Sequence, residues 1–317
     1  MDRAAGSTAA RPRRAWTVLA AGLLLAACTL ERRPTAEDAG RPSLAPVRTL
    51  QGGRLATRVD ALGTPLPGAL GGQLNLVFPA AVAVAGPDLY IADAGAGRVY
   101  RFEPALFALV PVPGIAATPD TRLQGGPDGL LHVLDAGASE VRRLPRTGRP
   151  LPALAPRLPA SRYVEFAVDP VNGRVFAADA ANGAVDRFEP TGRQAIVAQA
   201  GSLPGPLASD GRSLYLADAG CRCILQWRDG IPAPSLAEGE LALPRALAAG
   251  EGLLVAIDGA DRSLLVVGPG GSERIAASRL GMLAPEGLAI GGGLLYVADG
   301  AGQAVHVFRL PARRRSP

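Results

Sequence analysis

Few residues in this chain are equipped for chemistry beyond ordinary charge pairing. There are three Cys, two His and 28 acidic residues, set against 33 basic ones that are all Arg. Cys221 and Cys223 flank Arg222 in Gly220-Cys221-Arg222-Cys223. Three states are open to that pair: a local disulfide, two free thiols, or a soft-metal or redox pair such as Cu(I) would use. His-based metal centres take two or three imidazoles. His132 and His306 occupy unequal positions in distant parts of the sequence. They are expected as partly buried or surface side chains, with no metal and no cofactor. No Ser-His-Asp set can be assembled from spacing, and Gly291-Gly292-Gly293 reads as a hairpin turn rather than a phosphate loop.

The elements that must position these residues come from an internal repeat. An apolar strand ends in Asp, a short small-residue turn follows, and an aliphatic residue opens the next strand. The six copies end in Asp93, Asp135, Asp179, Asp218, Asp258 and Asp299, spaced 42, 44, 39, 40 and 41 residues apart. Six residues after each Asp stands Val99, Val141, Val185, Ile224, Leu264 or Val305. Six equivalent Asp cannot share one active site. Their expected task is to accept hydrogen bonds from N–H groups of the following turn, as Asp does in Asx turns. Gly and Pro number 40 and 29, which excludes long helices and supplies turns for many short strands.

A period near 40 with several strands per unit implies an all-β, six-bladed β-propeller. In the third repeat the four strands fall near Val164–Val168, Arg174–Ala178, Ala184–Phe188 and Gln194–Gln199. The sixth repeat stops after three, so an N-terminal strand is expected to close the last blade. The segment Arg54–Leu62 is the candidate for it. Aligning the strand nearest the axis places Arg122, Glu165, Arg245 and Glu286 at or just before its start, facing one mouth of the channel. They form a candidate ligand-binding rim, suited to a polar ligand or an acidic peptide end because guanidinium forks match carboxylates.

The detailed pattern resembles the NHL repeat family. Its core reads roughly Pro-x-Gly-Val-Ala-Val, then Leu-Tyr-Val-Ala-Asp-x-x-Asn-x-Arg-Ile. The nearest copies are Pro285-Glu286-Gly287-Leu288-Ala289-Ile290 with Leu295 to Asp299, and Phe78-Pro79 to Val84 with Leu89 to Asp93. Asn182 and Arg98 stand where the family's Asn and Arg fall, while other copies vary there. The resemblance covers residues 46–310. It implies the propeller and says little of activity, since propellers host both enzymes and adaptors. The six-bladed fold also resembles that of calcium- or zinc-using lactonases and of amidating lyases.

Residues 1–27 read as a secretory signal. Arg3, Arg11, Arg13 and Arg14 precede an apolar run, Thr17 to Ala27, of 11 residues, against the roughly 20 a membrane span needs. The ending Leu25-Ala26-Ala27-Cys28 resembles the lipobox of bacterial lipoproteins, which implies lipidation of Cys28. Residues 28–45 form a flexible tether, and 311–317 an Arg-rich tail with Arg313, Arg314 and Arg315. Thr29 after the Cys implies the periplasmic side of the outer membrane, if the cell has two. Loss of four Arg and Asp2 with the signal lowers the net charge from +5 to +2. That removes the electrostatic case for nucleic acid. Aromatics are 4% and Trp227 is the one Trp outside the signal, so stacking-based ligand sites are disfavoured too.

These features lead to a monomeric, non-catalytic envelope lipoprotein whose propeller binds another protein or peptide. The alternative is a metal-dependent hydrolase or lyase, lactonase-like, working at the channel mouth beside Glu165 and Glu286. A redox or copper role at Cys221 and Cys223 ranks third.

Overall fold

Short apolar runs punctuated by Gly and Asp turns become strands throughout. The structure, a computed structural model, describes residues 44–156, 158–191, 194–199 and 205–311. The expected signal, Cys28, nearly all of the tether and the tail from 312 onward lie outside the described residues.

Three strands come first: β1 (Ala45–Leu50), β2 (Gly52–Ala56) and β3 (Leu70–Asn75). Blade 1 is β4 (Pro79–Ala85), β5 (Asp88–Asp93), β6 (Arg98–Glu103) and β7 (Ala108–Pro111). Blade 2 is β8 (Arg122–Gly125), β9 (Leu131–Asp135), β10 (Glu140–Leu144) and β11 (Leu151–Leu154). Blade 3 is β12 (Tyr163–Val168), β13 (Val175–Asp179), β14 (Ala184–Phe188) and β15 (Gln194–Gln199). Blade 4 is β16 (Leu207–Ser209), β17 (Ser213–Asp218), β18 (Cys223–Arg228) and β19 (Ile231–Leu236). Blade 5 is β20 (Pro244–Gly250), β21 (Leu253–Asp258), β22 (Ser263–Gly268) and β23 (Gly271–Ala276). Blade 6 supplies β24 (Pro285–Gly291), β25 (Leu294–Asp299) and β26 (Ala304–Arg309).

Within each blade neighbouring strands pair antiparallel. The first strands β4, β8, β12, β16, β20 and β24 touch one another in that cyclic order and line the axis. Small residues make the convergence possible. At Gly287 of β24 a Cβ would lie 2.8 Å from the Ala80 carbonyl oxygen of β4, closer than real contacts allow. The core is a series of interfaces between blades rather than one central mass. Tyr90 and Val99 of blade 1 pack with Leu123 and Leu131 of blade 2. Val141 packs with Phe166 between blades 2 and 3, and Ile257 with Val297 between blades 5 and 6. At each step the apolar face of one sheet is covered by the next, so stability accrues blade by blade.

The ring is closed by an N-terminal strand, but the segment differs from the expected one. β1 pairs with β26, with Thr49 opposite His306 and Leu50 opposite Val305, and is the outermost strand of blade 6. Arg54–Leu62 plays no part in this. Its first half, in β2, joins blade 1 by running parallel to β7, Arg54 opposite Ala108. Its second half enters the loop to β3. Blade 1 is thereby enlarged to six strands, in the order β3-β2-β7-β6-β5-β4. The closing strand reads poorly from sequence because Pro46, Val47, Arg48 and Thr49 are all exposed on the outer edge. An edge position tolerates Pro, which a central strand would not.

Candidate functional site

The register of the axial strands brings the four rim residues together. In β12, Glu165 pairs opposite Ala178, and in β8 Arg122 pairs opposite Leu134, the corresponding position. Arg245 and Glu286 occupy bulges one residue earlier, where the ladder skips from Pro244 to Ala246 and from Pro285 to Gly287. All four side chains line one small cavity at the channel mouth.

They are paired across blade boundaries. Arg122 Nε donates to Glu165 Oε2 at 2.9 Å, joining blades 2 and 3. Arg245 lies 3.6 Å from Glu286 Oε2, joining blades 5 and 6. Burial raises the Glu165 carboxyl above the usual carboxylate range, although the charge and hydrogen bond of Arg122 and the Phe166 N–H pull the other way. The Arg122 guanidinium is held charged chiefly by Glu165, against its own desolvation, with Asp120 and Glu286 adding. Glu286 therefore acts across the mouth on the opposite pair. The cavity they surround is about 40 Å³, space for roughly three waters at about 10–15 Å³ each. Below it Leu247 and Leu288 form a wall shared with a second small cavity toward the other face. The mouth can thus present a rim of two positive and two negative groups, but it does not enclose a substrate.

The repeated Asp side chains do more than the sequence suggests. Asp93 accepts the Ala96 N–H in the following turn, and also the Val77 and Phe78 N–H groups leading into β4. Asp258 accepts from Ala242, Leu243 and Ala260, and Asp299 from Leu283, Ala284 and Gly302. Asp179 takes Arg162 and Ala181 N–H groups and the Asn182 amide. Asp135 accepts the Ala138 N–H and Asp218 the Gly220 N–H, within their own turns. Four of these carboxylates thus fasten the start of the axial strand to the turn of the same blade. Burial alone would raise the Asp299 carboxyl, but the hydrogen bonds from His306 and the three backbone N–H groups prevail and bring it down to about 2. Asp179 and Asp258 are lowered for the same reason.

The two His are not brought together. His306 Nε2 meets Asp299 at 3.3 Å, and its Nδ1 lies 3.3 Å from the Thr49 hydroxyl, linking closing strand to repeat Asp. His132 is buried beside the interface with blade 3. Burial first, then Arg143, lowers its imidazole to about 4 against an opposing pull from Asp128, so it is neutral at pH 7. Cys221 and Cys223 form a disulfide across their turn. Among the described residues no group of three or more His, Cys, Asp or Glu converges as a metal site.

Sequence reading missed a second charged cluster, on the flank of blade 1. Arg101, 3% exposed, lies 3.3 Å from both Asp88 and Glu103. Arg146, beyond β10 in blade 2, lies 3.0 Å from Asp88 and 3.5 Å from Glu103. The two guanidiniums also reach the insertion between β2 and β3. Arg101 donates to the Gly63 carbonyl, and Arg146 donates to the Leu62 carbonyl at 3.0 Å. A signal for Arg101 exists. Arg stands eight residues after the repeat Asp in three successive copies, at Arg101, Arg143 and Arg187. Its partners have no such regularity.

No protein-family model matches the chain, and no curated protein matches its sequence. Solved structures do resemble it. A chain of the nidogen/laminin complex is 18% identical, with 70% of this chain and 89% of that one covered at a TM-score of 0.56. A catalytically inactive virginiamycin B lyase from Staphylococcus aureus, with quinupristin, is 11% identical, with 84% and 98% covered at 0.56. A structure described as a putative gluconolactonase is 16% identical, with 74% and 89% covered at 0.57. At these identities the likeness is one of fold, and it places the chain among the β-propeller proteins.

Proposed function

We propose that this is a lipid-anchored, NHL-like propeller of the bacterial envelope, which binds another protein or peptide at the charged mouth of its channel without catalysing a reaction. The observation that carries the reading is the mouth itself. Four charged side chains from four blades meet in two ion pairs around a cavity of about 40 Å³. Both carboxylates face Arg partners, and the space is of a size for a few waters rather than a metabolite. Arg245 is the group best placed to meet a partner. It is 55% exposed, and its pairing with Glu286 is the longer of the two. A partner offering a carboxylate, from a side chain or a chain end, would exchange with Glu286 on the guanidinium.

The lipid anchor rests on Leu25-Ala26-Ala27-Cys28, and the periplasmic side of the outer membrane on Thr29. Similarity in fold to a chain of the nidogen/laminin complex fits a binding role, while similarity to a lyase and a putative gluconolactonase leaves room for metal-dependent hydrolysis or elimination at the same mouth. One experiment separates them. Tagged full-length protein and an Arg245→Glu variant are captured from detergent-solubilised envelopes, and both are submitted to elemental analysis. A partner held by the native protein and lost with the variant supports binding at the mouth. Recovery of the protein alone, or stoichiometric bound metal, overturns the reading.

A further inference from the structure

The flank of blades 1 and 2 carries the feature that the channel mouth lacks, a roomy and largely apolar cavity. Its volume is about 550 Å³, within the range of roughly 300–1,000 Å³ usual for small-molecule sites. Val112 and Pro113 of blade 1, Leu131 and Leu144 of blade 2, and Val59 of the insertion form its apolar walls. Among the described residues, blade 1 alone carries such an insertion. Asp60 orders its turn by accepting the Leu62 and Thr64 N–H groups, each at 2.8 Å. Arg101 and Arg146 hold it from below through the Gly63 and Leu62 carbonyls.

One polar group in this cavity is left over. Tyr90 lines it and is 2% exposed, yet its hydroxyl has no hydrogen-bond partner among the described residues. The repeat supplies a direct contrast. Tyr215, at the corresponding place in blade 4, donates to Asp210 at 3.0 Å. Burial, with Asp88 adding, pushes the Tyr90 phenol up to about 12, so it remains a donor at any physiological pH. The charges around it balance, three guanidiniums against three carboxylates: Arg101, Arg142, Arg146 and Asp60 line the cavity, and Asp88 and Glu103 pair with Arg101 and Arg146. The site therefore favours an uncharged molecule over an ion.

We propose that the groove between blades 1 and 2, roofed by the 57–69 insertion, is a binding site for a small, uncharged, mainly apolar molecule bearing one acceptor oxygen, which takes its hydrogen bond from Tyr90. The site is separate from the channel mouth and independent of any protein partner there.

The test uses the full-length protein in detergent with two probes of equal shape, 4-fluoroacetophenone and 4-fluoroethylbenzene, read by fluorine NMR against protein-free micelles. Only the first has an acceptor. It is expected to bind the native protein roughly 5-fold more tightly than the second, the scale of one net hydrogen bond. Tyr90→Phe should abolish that difference and leave 4-fluoroethylbenzene binding unchanged. Ala61→Trp, which fills the groove from an exposed position on the insertion, should remove both probes while thermal melting stays native. Equal binding of the two probes, binding that survives Ala61→Trp in a folded protein, or no binding of either overturns the proposal. So does loss with Ala61→Trp of a protein partner captured by the native chain, which would make the groove a protein-docking surface.

Discussion

The channel mouth and the blade 1 flank each gather two Arg and two carboxylates, and they do opposite things with them. At the mouth the four groups come from four blades and stand at or next to equivalent register positions; Glu165 is largely buried, while Arg245 and its partner Glu286 stay partly open to water. On the flank three of the four belong to blade 1, and Arg101 and Asp88 are buried behind an insertion that, among the described residues, no other blade carries. The difference is one of dielectric, and it lies between Arg245 with Glu286 at the mouth and Arg101 with Asp88 on the flank. A solvated pair contributes little and can exchange partners, whereas a buried network fixes geometry and is costly to break. The mouth is thus suited to reversible contact, and the flank network to holding a loop over a cavity.

The comparison is most easily broken at Arg101. Arg101→Met should leave Asp88 and Glu103 sharing Arg146 alone and destabilise the fold by about 3 kcal/mol. Thermal melting should fall by roughly 6–12 °C for a domain of this size. A shift as small as that of a mouth variant would erase the distinction between the two sites.

The repeated Asp provides the background against which both are measured. Asp299 is brought down to about 2 from 3.8, so its contribution is fully present above pH about 4 and is lost as pH falls through 2. The difference corresponds to about 2 kcal/mol. Asp299→Asn should cost that much near pH 7 and flatten the fall in stability between pH about 4 and 2, as acid titration of the melting temperature would show. An unchanged acid slope would transfer the effect to Asp179 and Asp258.

Arg245→Ala should have a smaller effect, under about 1 kcal/mol, because its guanidinium is largely exposed and its ion pair long. A loss above about 2 kcal/mol in chemical denaturation would show that the mouth is structural rather than presented. The smallest effect is expected of Tyr90→Phe, which removes a hydroxyl without a protein partner. Its stability should stay within about 0.5 kcal/mol of native, and a large loss would mean that the hydroxyl serves the fold.

The sequence made the propeller legible because the same strand-Asp-turn unit occurs six times, so an error in one copy is corrected by the others. The mouth was legible for the same reason: Arg122, Glu165, Arg245 and Glu286 stand out once copies are aligned. What occurs once was not legible in this way. The β1 edge carries Pro46, Arg48 and Thr49 and lacks an alternating apolar face. Arg54–Leu62 contains strand-like residues, and nothing local distinguishes joining blade 1 from closing blade 6. Arg101 sits on a recognisable repeat position, yet only the folded insertion and Arg146 turn it into a buried network. Arg143 and Arg187, at the same place, instead meet the Pro152 carbonyl and Glu189.

Ring closure also sets an order of events in synthesis. Thr49 leaves the ribosome among the first residues of the propeller, and His306, its partner, is separated from it by 257 positions. Blades 2 to 5 can form from contiguous chain, but β1 has no partner until β26 has been made. Until then β1 is a strand without a ladder, open to pairing with another chain. The entropic cost of joining ends so distant grows only with the logarithm of their separation. The slow step is therefore one of waiting rather than of distance. A chain cut short in blade 6 would have most blades built and its ring still open.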